Sequence, residues 1–343
     1  MKIIILIILL STVFSYGQTS EASQKNREIL LTEISKKIKD NYISVDSAAE
    51  IEVSINSAVK SGKFNNLSDE EFAAALTADL RFVSKDKHFF VEYLSDYRPQ
   101  TNKANDKKQQ ELDNISNSLE NFGFEDVKRL EGNVGYINFK GFAEPKSSET
   151  ALVSAMNFVA NTNSLIIDLR ENRGGDNGML LQFCSYFLNK KTNIYQTYFR
   201  NKGKNVENWT KAKVKGQKYL NKNIYFLTSA NTFSAAEGLA FILQNYKLAK
   251  VVGEQTGGAA NPIDPFIIGN KYLLLIPVGK ITAASTKTNW EQIGVTPDEK
   301  VKAENALTKA HILALKEILK NKTRTELTET QISETIKNLE KGL

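Results

Sequence analysis

One cysteine and two histidines in 343 residues exclude two ways of building a protein. Cys184 has no second cysteine to pair with, so the apolar core must hold the fold without an internal disulfide. It lies within the apolar helical stretch MLLQFCSYFL, which suits a buried thiol rather than a reactive one. His88 and His311 are the only histidines, and no His or Cys pair has metal-ligand spacing, so no metal site is expected. Charge of one sign is also scarce. The 45 basic and 39 acidic side chains leave a formal charge of +6. The lysines are spread along the chain, and no basic cluster carries interleaved aromatics. Nucleic acid is therefore not an expected partner, and the charge reads as solvated surface.

The chain begins MKIIILIILLSTVFSYGQ, with Lys2 before an apolar run from Ile3 to Phe14. The run is about 12 residues, short of the about 20 needed to span a bilayer. Small residues at Ser15 and Gly17 then suit an export signal cleaved after Gly17; an uncleaved N-terminal anchor is the other reading. An exported protein, periplasmic or secreted, with no membrane span after cleavage, is expected.

Residues 18 to 84 have helical periodicity. Asp46 is a candidate cap, Gly62 a stop, and Ser68 precedes three acids in a first turn. The apolar run HFFVEYL closes this part as a strand. From Asp96 to Ser116 the sequence is polar, a linker or a solvated helix. Strands and helices then alternate: VKRLEGNVGYINFKGF as two strands turning at Gly132-Asn133, then SLIIDLR and NIYFLTS as buried strands with helices between them. AKVVGE and KYLLLIPVG add short strands. The pattern is α/β with crossovers, and the tail from Val301 is helical and charged.

Two of the buried strands run into unusual loops. IIDLRENRGGDNG places Gly174 and Gly175 beyond a strand's carboxyl end, where backbone N–H groups can face a ligand; a plain turn is the other reading. No phosphate-loop pattern is present. NIYFLTS leads into ANTFSAAEG, where Ser234-x-x-Glu237 is a capping box. It is equally a serine at a helix N-terminus after a strand, where the Ala235 amide and the helix dipole can stabilise an oxyanion. His88 beside two phenylalanines is either structural or a base. Glu291, between a Trp and a Gly-containing turn, is either a surface carboxylate or part of a site.

Taken together, LIIDLRENRGGDNG, TSANTFSAAEGLAF, VVGEQTGGAANP and NWEQIGVTPD resemble, in order and spacing, the S41 serine peptidase family over most of residues 80 to 300. The family includes the C-terminal processing proteases, the tricorn core protease and the interphotoreceptor retinoid-binding-like members. The processing branch uses a Ser–Lys dyad, with Lys after G-x-x-T-x-G. Here Gly253–Gly258 is followed by Ala259, and the polar segment is too short for that branch's PDZ domain. DKHFF instead resembles the Asp-x-His segment of the tricorn and retinoid-binding-like branch.

The resemblance implies a ClpP/crotonase-like α/β catalytic domain at 119–300. It follows a signal peptide at 1–17, a helical subdomain at 18–94 carrying His88 and a linker at 95–118, and a helical tail at 301–343 comes after it. It also implies a serine endopeptidase acting on peptide or unfolded protein, with Ser234 as nucleophile, His88 as base and Glu291 as relay acid. Ala235 with Gly174 or Gly175 forms the oxyanion hole, and no metal or organic cofactor is needed. The competing implication is a retinoid-binding-like module that holds an apolar ligand or an envelope partner without proteolysis.

Overall fold

A computed structural model describes the backbone of residues 8–95 and 103–343, and side-chain packing for residues 24–95 and 111–343. The export segment expected at 1–17 lies outside the residues whose side chains are described. No described helix is long and apolar enough to cross a membrane. The chain forms two compact units. One comprises the N-terminal part up to Pro99 with Phe199–Lys204 and Pro262–Gly279; the other comprises the remainder.

The first unit is built on helices α1 (Ile8–Asn41), α2 (Val45–Ser61) and α3 (Asp69–Ser84), followed by strand β1 (Phe90–Tyr93). The expected cap Asp46 stands inside the first turn of α2. Ser44 is the N-cap, its side chain accepting the Ser47 N–H, and Gly62 ends the helix at φ 66°. Ser68 and Glu71 form the capping box of α3, with Asp69, Glu70 and Glu71 facing the positive helix end. Apolar residues at helical spacing, Leu31, Ile34 and Ile38 of α1, Ile51 and Ile55 of α2, and Phe72, Leu76 and Leu80 of α3, meet in one core. Each fully buried aliphatic chain contributes about 1.5–3 kcal/mol.

The second unit opens with α4 (Lys103–Leu119), the polar segment realised as a helix whose residues 111–116 are all exposed. A six-stranded sheet follows, built from β2 (Phe124–Leu130), β3 (Val134–Phe139), β4 (Ser164–Asp168), β7 (Asn223–Thr228), β8 (Lys250–Gly253) and β12 (Glu299–Lys300). Their order is β12-β8-β7-β4-β3-β2. The β2–β3 hairpin is antiparallel and every other pairing is parallel. The crossover helices α5 (Pro145–Val159), α6 (Asn177–Cys184) and α7 (Ala235–Asn245) supply one face. There Leu165, Ile167 and Phe226 pack with Leu152, Met156, Phe183 and Leu239, and Cys184 is buried among them.

The alternate residues Ile166, Tyr225 and Leu227 meet α8 (Ala306–Lys320) and α9 (Glu329–Glu340) on the opposite face, as the two-residue strand period requires. The charged C-terminal segment thus covers the sheet with Ala310, Ala314, Leu315 and Ile318. A second sheet, β11-β5-β6, joins β5 (Asn193–Phe199), β6 (Lys204–Trp209) and β11 (Gly279–Ala283).

Besides the α2 cap, a strand assignment differs from the sequence reading. KYLLLIPVG does not extend the α/β sheet. It forms β10 (Tyr272–Pro277), which pairs antiparallel with β9 (Ile263–Ile268) on one side and with β1 on the other, Leu274 facing both Phe266 and Val91. Ile268, Tyr272, Leu274 and Ile276 therefore complete the helical core.

Candidate active site

Ser234 ends the loop between β7 and α7, and its backbone is unusual. Among the described residues, the caps Ser44, Asp176 and Thr328 have extended φ/ψ, and Ser68 has φ −59° and ψ 169°, so all four keep the negative φ with which a cap normally accepts from the helix. Ser234 has φ 53° and ψ −119°. A non-glycine residue in such a region is strained by about 1–3 kcal/mol, and strain of this kind gathers where function needs a side chain aimed outward. The nucleophile elbow is a turn of this type, a serine held on a sharp strand-to-helix corner.

Glu237 holds that corner. It is fully buried and takes four donors. Oε2 accepts the N–H of Ser234 at 2.8 Å and of Ala259 at 2.9 Å; Oε1 accepts the Thr256 hydroxyl at 2.5 Å and the Gly258 N–H at 2.6 Å. Burial pushes the carboxyl upward in pKa, and these hydrogen bonds oppose the rise. The Ser-x-x-Glu spacing read in the sequence is thus half of a larger arrangement, since the same carboxylate fixes the Thr256–Ala259 loop. Ala259 itself, at the position of the processing branch's lysine, is fully buried. Replacing Glu237 by glutamine sets an amide against four donors. The expected loss of stability is about 1–3 kcal/mol, read from the denaturant midpoint. An unchanged midpoint would show that the carboxylate does not organise the two loops.

The glycine loop lies against the elbow. A Cβ added at Gly174 would fall 2.7 Å from the Ala235 nitrogen and 2.8 Å from the Ser234 Cβ, and φ is +92° there, so both space and conformation require glycine. Behind it, Asp168 accepts from Arg170 and from the Tyr136 hydroxyl, while Arg170 reaches the Ala303 carbonyl. Ser229 and Thr232 donate to the carbonyls of Arg170 and Leu169. The loops after β4 and β7 are therefore laced together by side chains that the motif reading passed over, although they stand inside its segments.

Glu291 belongs to the same unit. Its Oε2 accepts the N–H groups of Ala260 at 2.6 Å and Asn261 at 3.1 Å, and its own N–H donates to Asn289. Glu237 and Glu291 between them hold four consecutive amides, 258 to 261. Glu291 is thus anchored in the loop that follows G-x-x-T-x-G and is not a free surface carboxylate.

His88 stands in the helical unit, in the turn between α3 and β1. Its N–H donates to Asp86 Oδ1 at 3.0 Å, and its Nδ1 is 3.9 Å from the same oxygen. The ring is buried. Burial, with the nearby Arg81 charge adding to it, pushes the imidazole down to about 4. His88 is therefore neutral at pH 7, the state that a general base needs. His311 lies on α8 with Nε2 against the Glu131 carbonyl at 2.9 Å, a structural contact.

The model for peptidase family S41 matches residues 133–301, and that for the N-terminal domain of Peptidase_S41 in eukaryotic IRBP matches residues 22–124. The carboxy-terminal processing protease CtpA of Bacillus subtilis is 28% identical over 130 residues, covering 37% of this chain and 26% of that protein. The carboxy-terminal-processing protease of Bartonella bacilliformis is 29% identical over 174 residues, covering 50% and 39%. The chain thus spans well under half the length of these curated relatives.

Among solved structures, a lipoprotein from Streptococcus agalactiae shares the fold at 15% identity, with a TM-score of 0.57 over 85% of this chain and 96% of that one. The tricorn protease does so at 14% identity, with a TM-score of 0.51 over 92% of this chain and 37% of that one. With the S41 model at residues 133–301 and that of its N-terminal domain at residues 22–124, the chain belongs to peptidase family S41.

Proposed function

We propose that this chain is an exported serine endopeptidase whose nucleophile is Ser234 and whose base is His88. The observation that carries the reading is the backbone of Ser234, whose positive φ is a conformation no helix cap requires. His88 Nε2 or Nδ1 takes the hydroxyl proton as Oγ attacks a peptide carbonyl. The Ala235 amide and an amide of the Gly174–Gly175 loop receive the oxyanion. His88 then protonates the leaving amine. Water, deprotonated by the same ring, releases the acyl group and restores Ser234.

Ala259 supplies no amine, so the base is not a lysine at that position. Glu291 is the relay acid of this scheme. Turnover of a broad peptide library at neutral pH tests the proposal: cleavage is expected, and complete inertness of folded protein counts against it.

The match to the IRBP N-terminal domain supports a second reading, an apolar-ligand module without proteolysis, in which Ser234 would be chemically inert. Export follows from Lys2, the Ile3–Phe14 run and Ser15-x-Gly17. The mature chain is expected to start at Gln18. N-terminal sequencing of the exported fraction checks this, and a start at Met1 contradicts it.

A further inference from the structure

The Gly174–Gly175 loop offers two amides to the site, and the structure separates them. Asn172 is fully buried. Its Oδ1 accepts the Gly174 N–H at 2.8 Å, and its Nδ2 donates to the Phe139 carbonyl at the end of β3 at 2.8 Å. Its own carbonyl accepts the N–H of Phe233, the residue before Ser234, at 3.0 Å. One asparagine therefore ties the glycine loop to the sheet and to the elbow.

On the other side of the loop, the Phe142 N–H donates to the Gly174 carbonyl at 2.9 Å, and the Asp176 N–H donates to the Phe142 carbonyl at 2.7 Å. The amides on both sides of Gly175 are thus engaged, whereas the Gly175 N–H meets no acceptor among the described residues. Position 175 accepts only glycine. Its φ is +132°, and a Cβ there would fall 2.3 Å from the Phe142 carbonyl oxygen.

We infer that Asn172 is a positioning residue that assigns the oxyanion donor: by occupying the Gly174 N–H and pinning the loop, it leaves the Gly175 N–H to pair with that of Ala235. This rests on Ser234 being the nucleophile. Gly175 is exposed, so its N–H is open to an incoming group, and a developing oxyanion would be its acceptor. Removing the Asn172 side chain frees the Gly174 N–H and loosens the loop, so the tetrahedral species loses a pre-aligned donor. Initial binding, made elsewhere, persists.

The test uses the full chain and a fluorophosphonate probe, with the inactivation rate constant and the probe's binding constant measured separately. Asn172→Ala is expected to lower the rate constant by about 10²–10³, the effect of losing one oxyanion donor, with the binding constant within about twofold of wild type. Ile318→Ala, on the far side of the sheet, serves as the stability control and should label at the wild-type rate. If Asn172→Ala does not fold, Asn172→Asp is read instead; it keeps an acceptor for Gly174 but not the tie to Phe139, and a smaller loss in the same constant is expected. Wild-type rate constants in the folded Asn172 variant overturn the inference while Ser234 labelling stands. Absence of labelling in the wild-type protein overturns the serine mechanism itself, and the inference with it.

Discussion

Ser234→Ala is expected to abolish peptide hydrolysis while the protein remains folded. Two accounts of Ser234 predict different outcomes. If the residue were only a cap, removing its hydroxyl would lower stability by about 0.5–2 kcal/mol and leave turnover intact. If it is the nucleophile, turnover disappears whatever the side chain adds to the cap, while the Glu237 bond to the Ser234 N–H survives the substitution and keeps the helix start in place. The backbone supplies a second contrast. At φ 53° and ψ −119° glycine is more at ease than serine, so Ser234→Gly should raise stability by about 1 kcal/mol while also eliminating activity. Denaturant midpoints and turnover measured on the same samples check both variants. Full activity in Ser234→Ala with a lowered midpoint would establish the cap and reject the nucleophile.

His88→Ala is expected to lower turnover by about 10³ or more, the scale of removing a triad member, whereas His311→Ala should change it little. The pH dependence follows from the state of the ring. An unperturbed histidine titrates near about 6.5, but burial and Arg81 bring His88 down to about 4. His88 is then neutral above that value, and with His88 as the proposed base kcat/KM should rise through an acid limb near pH 4 and be level at neutral pH. Stability carries the same linkage. Between about pH 6.5 and about 4 the unfolded chain binds a proton at this position that the folded chain does not, so stability falls as pH is lowered through that window. An acid limb that persists unchanged in His88→Ala would assign the titration to another group.

The fold was legible wherever the pattern was local. The unbroken apolar centres of β4 and β7, the Gly132-Asn133 turn and the Ser68 cap are each decided by residues within a few positions. Nothing local distinguishes KYLLLIPVG as a partner of β1 from a strand of the α/β sheet, because the pairing of Leu274 with Val91 spans most of the chain. Asp46 lost the cap to Ser44, two residues earlier, a shift of the size at which helix ends are least determined. The charged tail concealed the small apolar face of α8, Ala310, Ala314 and Ile318, which needs a sheet to cover.

At the site, the motif residues were readable but their connections were not. Ser-x-x-Glu announces a helix start, yet only the folded chain brings Thr256, Gly258 and Ala259 to the same carboxylate. The lowered pKa of His88 comes from burial, which spacing does not encode.

The central claim is that Ser234 is a nucleophile. The most direct measurement is to treat the wild-type chain with a fluorophosphonate probe at neutral pH, digest it, and locate the adduct by mass spectrometry. The account predicts a single stoichiometric adduct on Ser234 that is lost on prior denaturation. A folded, unmodified Ser234, or an adduct confined to another residue, would contradict it.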